Sequence, residues 1–270
     1  LRREAEVIDA HVHIETRPYR PDFIWEFVSQ AERMGLTDLY LLEHSHRFKE
    51  FGPIYRHILT DASPVGIYQR EWLERKMKRS INEYLMLIQA MRQTEFPLKI
   101  HWGLEVCYFP GEEQAIAEIV SGFDWDFLVG AVHWLDGWGF DHPRTKTSWQ
   151  GRDCNATYRK YYEVTRQMIC SGLFDQIAHP DSIKCFGFYP TEDLTDTYRE
   201  IARLAKRQAV KMEFNTGLHL NYFHPEVGLN RDFLACLKAA DVAIVTASDA
   251  HHPEDVGKYI REAEKIIEKA

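Results

Sequence analysis

Val7-Ile8-Asp9-Ala10-His11-Val12-His13 is an apolar run that ends in two histidines at alternate positions. Alternate side chains of a strand face the same way, so the stretch reads as a β-strand whose tip presents both imidazoles to one place. A lone His-x-His pair is common in proteins. Its meaning depends on whether other strands end in the same residue types.

Working outward, the pattern recurs. Asp38-Leu39-Tyr40-Leu41-Leu42 is a short buried strand running into Glu43-His44, and 99–105 puts His101, Gly103 and Glu105 on one strand face. The run 126–133 ends in His133, the run 174–180 ends in His179-Pro180, and 242–249 ends in Asp249, shortly before His251. With 210–215 these make seven strand signals. Helical patterns separate them at 23–34, about 70–94, 112–120, 153–171, 191–208, 230–240 and from 258 onward. The connection 47–69 reads as a long polar loop, and 134–143 as an aromatic, glycine-rich loop over a site. Alternating β and α signals imply a parallel sheet, and polar clusters at the C-terminal strand ends imply a closed α/β barrel with its site on that face.

The chain has 270 residues, 45% hydrophobic and 27% charged, enough for one sizeable core, so a single domain over 1–270 is expected. The net charge of -8 argues against a general nucleic-acid or membrane surface. Five scattered cysteines without a C-x-x-C spacing suggest neither a disulfide framework nor a thiolate metal site, which points to the cytoplasm. Leu1-Arg2-Arg3-Glu4 lacks the apolar run of a signal peptide, and no stretch is long and apolar enough for a membrane span. Nothing in the pattern sets an oligomeric state.

The strand tips together offer His11, His13, His44, Glu105, His133, His179, Asp249 and His251. Nitrogen and oxygen donors without thiolate suit zinc, manganese or iron, and the set exceeds the needs of one ion. A carboxylate such as Glu105 can bridge two ions. Two such ions activate water for in-line attack and stabilise the oxygens of a transferring phosphoryl group, so a multinuclear hydrolase is the chemical expectation.

The order Asp9-Ala10-His11-Val12-His13, Glu43-His44, Gly103-Leu104-Glu105, Val132-His133, Ala178-His179-Pro180-Asp181 and Ser248-Asp249-Ala250-His251 resembles the PHP (polymerase and histidinol phosphatase) superfamily of metal-dependent phosphoesterases. The loop 132–141, the stretch 174–181 and Glu213-Phe214-Asn215-Thr216-Gly217 are similar to its histidinol-phosphate phosphatase branch. The resemblance implies a (βα)7 barrel, a distorted TIM-like fold, and two or three divalent ions. It implies one ion on His11, His13, Glu105 and Asp249, a second on Glu105, His133 and His179, and a third on His44 and His251. Relatives often place a histidine a few residues after His13; here Glu15 stands in that neighbourhood as the third ion's further ligand.

The expected substrate is a small phosphorylated molecule, L-histidinol phosphate, with Asp249 or His251 protonating the departing alkoxide. Arg17, Arg47, Arg144 and Lys184 follow strand tips or lie in loops; Arg47, nearest Glu43-His44, is the first choice to neutralise phosphate oxygens. His101 is expected as a hydrogen-bonded core residue. His46, His57, His142, His219, His224 and His252 are expected at the surface or behind the ligands, and Trp134, Trp138 and Phe140 as packing residues. The alternatives are a phosphodiesterase or nuclease of the same superfamily, an amidohydrolase-like hydrolase, and a non-catalytic metal-binding PHP domain. The acidic balance disfavours the nuclease, Glu43-His44 and Glu105 disfavour the amidohydrolase, and the nearly complete ligand set disfavours the non-catalytic domain.

Overall fold

The computed structural model describes residues 6–270, so the reading of Leu1-Arg2-Arg3-Glu4 lies outside the described residues. Its elements are β1 (Ile8–His13), α1 (Pro21–Arg33), β2 (Asp38–Leu42), α2 (Arg56–Leu59), α3 (Pro64–Lys76), α4 (Ile81–Met91), β3 (Lys99–Cys107), α5 (Glu113–Val120) and β4 (Phe127–Ala131). There follow β5 (Trp134–Leu135), β6 (Trp138–Gly139), α6 (Cys154–Cys170), β7 (Gln176–Ile177), α7 (Thr195–Gln208), β8 (Lys211–Asn215), α8 (Gly217–Tyr222), α9 (Arg231–Ala239), β9 (Ile244–Ala247) and α10 (Ile260–Lys269). Among the described residues no helix is long and apolar enough to cross a membrane.

Seven strands pair in parallel in the order β1-β2-β3-β4-β7-β8-β9, the α/β barrel expected from the alternating pattern. The seam between β9 and β1 is joined just past the end of β9. There the His13 N–H donates to the Ala250 carbonyl at 2.8 Å, and the Asp249 N–H donates to the His11 carbonyl at 2.9 Å. Buried Asp9 clasps the same seam, accepting the Ser248 N–H at 2.8 Å, the Ser248 hydroxyl at 2.6 Å and the Gly257 N–H at 2.9 Å.

Strand alternation separates two apolar layers. Ala10, Tyr40, Leu42, Phe127, Val129, Ala131 and Ala178 fill the barrel interior, whereas Leu39, Leu41, Leu104 and Val106 join the larger cluster outside it. Position 103 faces inward by alternation and is a glycine because the Phe127 ring occupies its side-chain space: a Cβ there would lie 2.5 Å from that ring. In β1, Asp9 pairs with Leu39 but Val12 with Leu41, so β1 spends one extra residue. This bulge changes which parity faces inward. Ile8 and Ala10 belong to the interior below it, and His11 and His13 face inward above it.

Several expectations need correction. Residues 47–69 are not an open polar loop: Phe48, Phe51, Ile54, Tyr55 and Ile58 are fully buried, and the segment winds through 3-10 turns into α2 and the start of α3. The expected helix over about 70–94 is two helices, because α3 ends at Lys76 and Ser80 with Glu83 forms a capping box that starts α4. The strand expected over 174–180 keeps only β7; positive φ at His179 turns the chain, and the Asp175 carboxylate takes the Leu128 N–H at 2.8 Å. Residues 134–143 contain the β5–β6 hairpin, and α8 occupies part of the connection between β8 and α9.

Candidate metal centre

Three strands place a candidate ligand at the inward position just above the apolar filling. Tyr40 and Leu42 lead to His44, Gly103 leads to Glu105, and Phe127, Val129 and Ala131 lead to His133. Two further candidate ligands lie in the left-handed backbone region: φ is 27° at His179 and 56° at Asp249, values that non-glycine residues adopt seldom.

Glu105, 1% exposed, is the hub. Its Oε1 lies 2.9 Å from His133 Nε2 and 3.3 Å from His179 Nε2. Its Oε2 lies 3.1 Å from His44 Nε2, 3.3 Å from His13 Nε2 and 3.6 Å from His11 Nε2. Asp249 Oδ1 stands 3.4 Å from His13 Nε2 and 3.7 Å from His11 Nε2. Thus His11, His13, Glu105 and Asp249 meet at one side of the hub, and Glu105, His133 and His179 at the other, the grouping the resemblance implies. His44 is shared between two further groups, one with Glu15 and His46 and one with His13 and His251. His46, expected behind the ligands or at the surface, is therefore drawn into the cluster, its ring 4.5 Å from that of His44.

Two carboxylates orient the imidazoles from behind. Glu213 Oε1 receives His11 Nδ1 at 2.8 Å and Gln176 Nε2 at 2.7 Å; its Oε2 receives the His179 N–H at 3.0 Å and Asn215 Nδ2 at 2.7 Å. Asp141 meets His133 Nδ1 at 2.5 Å. Such bonds fix the tautomer that leaves Nε2 free as a donor to metal. Neither role was read from the sequence. Glu213 alternates with Asn215 on β8 and was open to that reading, whereas Asp141 returns to the site through a hairpin that no local pattern announces.

Electrostatics favour cations. Burial would push Glu105 up, but His44, His11, His133 and His179 hold it well below the usual carboxylate range. Burial opposes ionisation of Asp249 too, yet His11, His13 and His251 keep it well below its ordinary value. Burial together with the neighbouring His44 and His251 drives His13 well below the usual imidazole value, leaving it neutral as a ligand must be. Glu105 Oε2, Glu15 Oε2, His44 Nδ1, His46 Nε2 and His179 Nδ1 are buried without a hydrogen-bond partner. Buried carboxylate oxygens left without hydrogen bonds and ringed by imidazoles are what a set of divalent cations satisfies; without such cations the neighbouring carboxylates raise the pKa of His11, His44 and His133 against the effect of burial.

Above the hub opens a cavity of about 430 Å³, bounded by Trp72, Lys76, Trp134, His142, Leu218 and Tyr222 and floored by Glu15, His44, His133, His179, Asp249 and His251. Arg47 does not line it. Its Nη2 donates to the Glu15 carbonyl at 3.3 Å and its Nε lies 4.0 Å from Glu43 Oε2, because the buried Glu43 carboxylate draws the guanidinium behind the ligands. The other expected cations are also engaged elsewhere: Arg17 with Glu26, Arg144 over the Tyr68 ring, and Lys184 with Asp181 and Glu226. His101 pairs with Asp38 at 3.0 Å below the site, as a hydrogen-bonded residue. Trp134, Trp138 and Phe140 are buried and pack, Trp134 also forming cavity wall.

A model of the PHP domain family matches residues 9–217. A relative from Deinococcus radiodurans named "Probable histidinol-phosphatase" is 29% identical over 263 residues, spanning 96% of this chain and 92% of its own. Histidinol phosphate phosphatase from Lactococcus lactis subsp. lactis, solved with zinc, L-histidinol and phosphate, aligns with a TM-score of 0.70 at 17% identity over 98% of this chain and 93% of that one. A Listeria monocytogenes structure titled "putative histidinol phosphatase" gives 0.71 at 20% identity over 93% and 98%. At these identities the structural likeness establishes the shared fold.

Proposed function

The chain belongs to the PHP domain family, and we propose that it is a metal-dependent phosphatase of one domain that hydrolyses L-histidinol phosphate to L-histidinol and inorganic phosphate in histidine biosynthesis. The observation that carries this reading is buried Glu105, whose two oxygens face different sets of imidazoles just beneath the floor of a cavity sized for a small monoester. The choice of substrate is supported by the 29% identical relative and by the L-histidinol and phosphate bound to the Lactococcus lactis protein.

His11, His13, Glu105 and Asp249 hold one ion, and Glu105, His133 and His179 a second. His44 is the centre of a third position, with Glu15 and His251 to either hand. Zinc, present in the Lactococcus lactis protein, manganese and iron all suit this donor set. Such ions supply Lewis-acid activation of water and neutralise charge on the phosphoryl oxygens. The chain's own residues do the rest. Glu213 and Asp141 lock His11 and His133 in the ligating tautomer, and the β5–β6 hairpin walls the cavity. Asp249, held ionised by its histidine neighbours, acts as ligand in place of the proton donor expected of it. His251 has Nδ1 at 2.9 Å from the Asp249 carbonyl, which leaves Nε2 for an ion or, when protonated, for the departing alkoxide. The free cysteines suit a reducing cytoplasm.

The test is phosphate release after chelation and reconstitution with each metal, comparing histidinol phosphate, a nucleotide diester and an amide. Histidinol phosphate should be preferred, and Glu105→Gln should lower its turnover by at least about a hundredfold without unfolding the chain. Preference for the diester, or an active metal-loaded Glu105→Gln, overturns the assignment.

A further inference from the structure

The connection between β2 and β3 builds part of the site. Gln69 on α3 donates through Nε2 to the Gly137 carbonyl at 2.8 Å and accepts the Gly139 N–H at 2.8 Å, fastening α3 to the β5–β6 hairpin. The Trp72 ring lies 5.1 Å from that of His142 and 6.3 Å from that of Trp134. Two segments far apart in sequence thus form one rim. One turn beyond Trp72, at the last residue of α3, stands Lys76, the sole lysine or arginine among the described residues lining the cavity.

The Lys76 ammonium lies 5.9 Å from the Trp72 ring centroid and 3.7 Å from Glu15 Oε1. At that distance Glu15 pairs with it electrostatically but takes no hydrogen bond, so its three N–H donors have no hydrogen-bond partner among the described residues. The line runs on from Glu15 Oε2 to His44 Nδ1 at 3.4 Å, and from His44 Nε2 to Glu105 Oε2 at 3.1 Å. Lys76 therefore stands at the outer end of a line of polar contacts that leads from the hub to the rim.

We propose that Lys76 is the phosphate-holding cation of this site, its ammonium donating to a non-bridging oxygen of the bound phosphoryl group. The inference rests on the phosphatase reading. Arg17, Arg47, Arg144 and Lys184 are committed to partners outside the cavity, so a dianionic phosphate entering it meets one lining side-chain cation with its N–H donors open, a compact charge on a flexible stem.

The test uses inorganic phosphate as probe, titrated calorimetrically into the metal-loaded protein, Lys76→Met and Lys76→Arg, with metal content measured alongside. Methionine keeps the apolar stem and removes the charge. Lys76→Met should weaken phosphate binding and raise KM at least about tenfold, with a smaller effect on kcat and unchanged metal content, and Lys76→Arg should recover most of the affinity. A change of less than threefold in Lys76→Met overturns the proposal. So does a loss of affinity matched by loss of metal, because the lysine would then serve only to position Glu15. Phosphate binding is read without the alcohol: a protein that binds phosphate through Lys76 yet fails to hydrolyse histidinol phosphate refutes the substrate assignment and leaves this inference standing.

Discussion

Glu213→Gln tests whether the metal centre depends on a carboxylate placed behind its ligands. Glu213 is fully buried, and its two oxygens face four donors, His11 Nδ1, Gln176 Nε2, the His179 N–H and Asn215 Nδ2, all within 3.0 Å. A carboxylate accepts from all four, whereas a carboxamide turns one oxygen into a donor whichever way it is set. With the amide nitrogen at the Oε2 position, two buried donors lose their acceptor, which costs about 2–6 kcal/mol at about 1–3 kcal/mol each. With the nitrogen at the other position, Gln176 Nε2 loses its acceptor, and the conflict at His11 is relieved only by moving its proton from Nδ1 to Nε2. That nitrogen faces Glu105 and Asp249 at 3.6 and 3.7 Å, and once protonated it cannot ligate. The substitution therefore costs either stability or metal affinity. Chelator competition should find binding weakened by about 10–100-fold, or urea unfolding of the metal-free protein should find the stability loss above. If metal affinity stays within twofold and stability within about 0.5 kcal/mol of the parent, the donor argument is wrong.

Gly217→Ala should act on Asp249, since a Cβ at that glycine would lie 2.6 Å from both Cβ and Oδ2 of Asp249 and 2.8 Å from Asn215 Oδ1. Turnover should fall at least about tenfold with the fold retained, and activity within twofold of the parent refutes the contact. Asp38→Asn should change the acid limb of stability. Burial pushes the Asp38 carboxyl up, but bonds from His101 Nε2 at 3.0 Å and the Thr37 hydroxyl at 2.8 Å, with Lys99 at 3.6 Å, hold it below its ordinary value. A depressed folded pKa contributes stability that is present above the unfolded value of about 4 and is lost as pH falls through the folded one. The difference in unfolding free energy between parent and Asp38→Asn should be full at about pH 5 and shrink steadily as pH falls below about 4; a difference that does not vary with pH excludes the ion pair as its source.

The parts of the site that sequence revealed are those set by strand period. Tyr40, Leu42 and His44, or Gly103 and Glu105, share a face because alternate residues must, and a polar residue after an apolar alternation marks the strand tip. The β1 bulge breaks that rule and leaves no mark on the sequence, yet His11 and His13 still point together because both lie above it. Arg47 was misjudged because nearness to His44 along the chain says nothing about direction, and burial of Glu43 demanded the cation elsewhere. Lys76 was missed because Phe48, Phe51, Ile54, Tyr55 and Ile58 pack from irregular turns, without a helical or strand period to follow. The Ser80-Glu83 capping box, by contrast, was legible and would have divided the long helix at the right place.

The seam between β1 and β9 bears on how the protein is made. Asp9 and Ser248, which clasp it, are 239 positions apart, and Asp249 stands next to the second of them. During synthesis His11 and His13 leave the ribosome long before their carboxylate partner Asp249 arrives. A growing or truncated polypeptide therefore carries the histidine pair without the complete first ligand set. On the proposed metal reading, full-strength capture waits until β9 and Asp249 have been made.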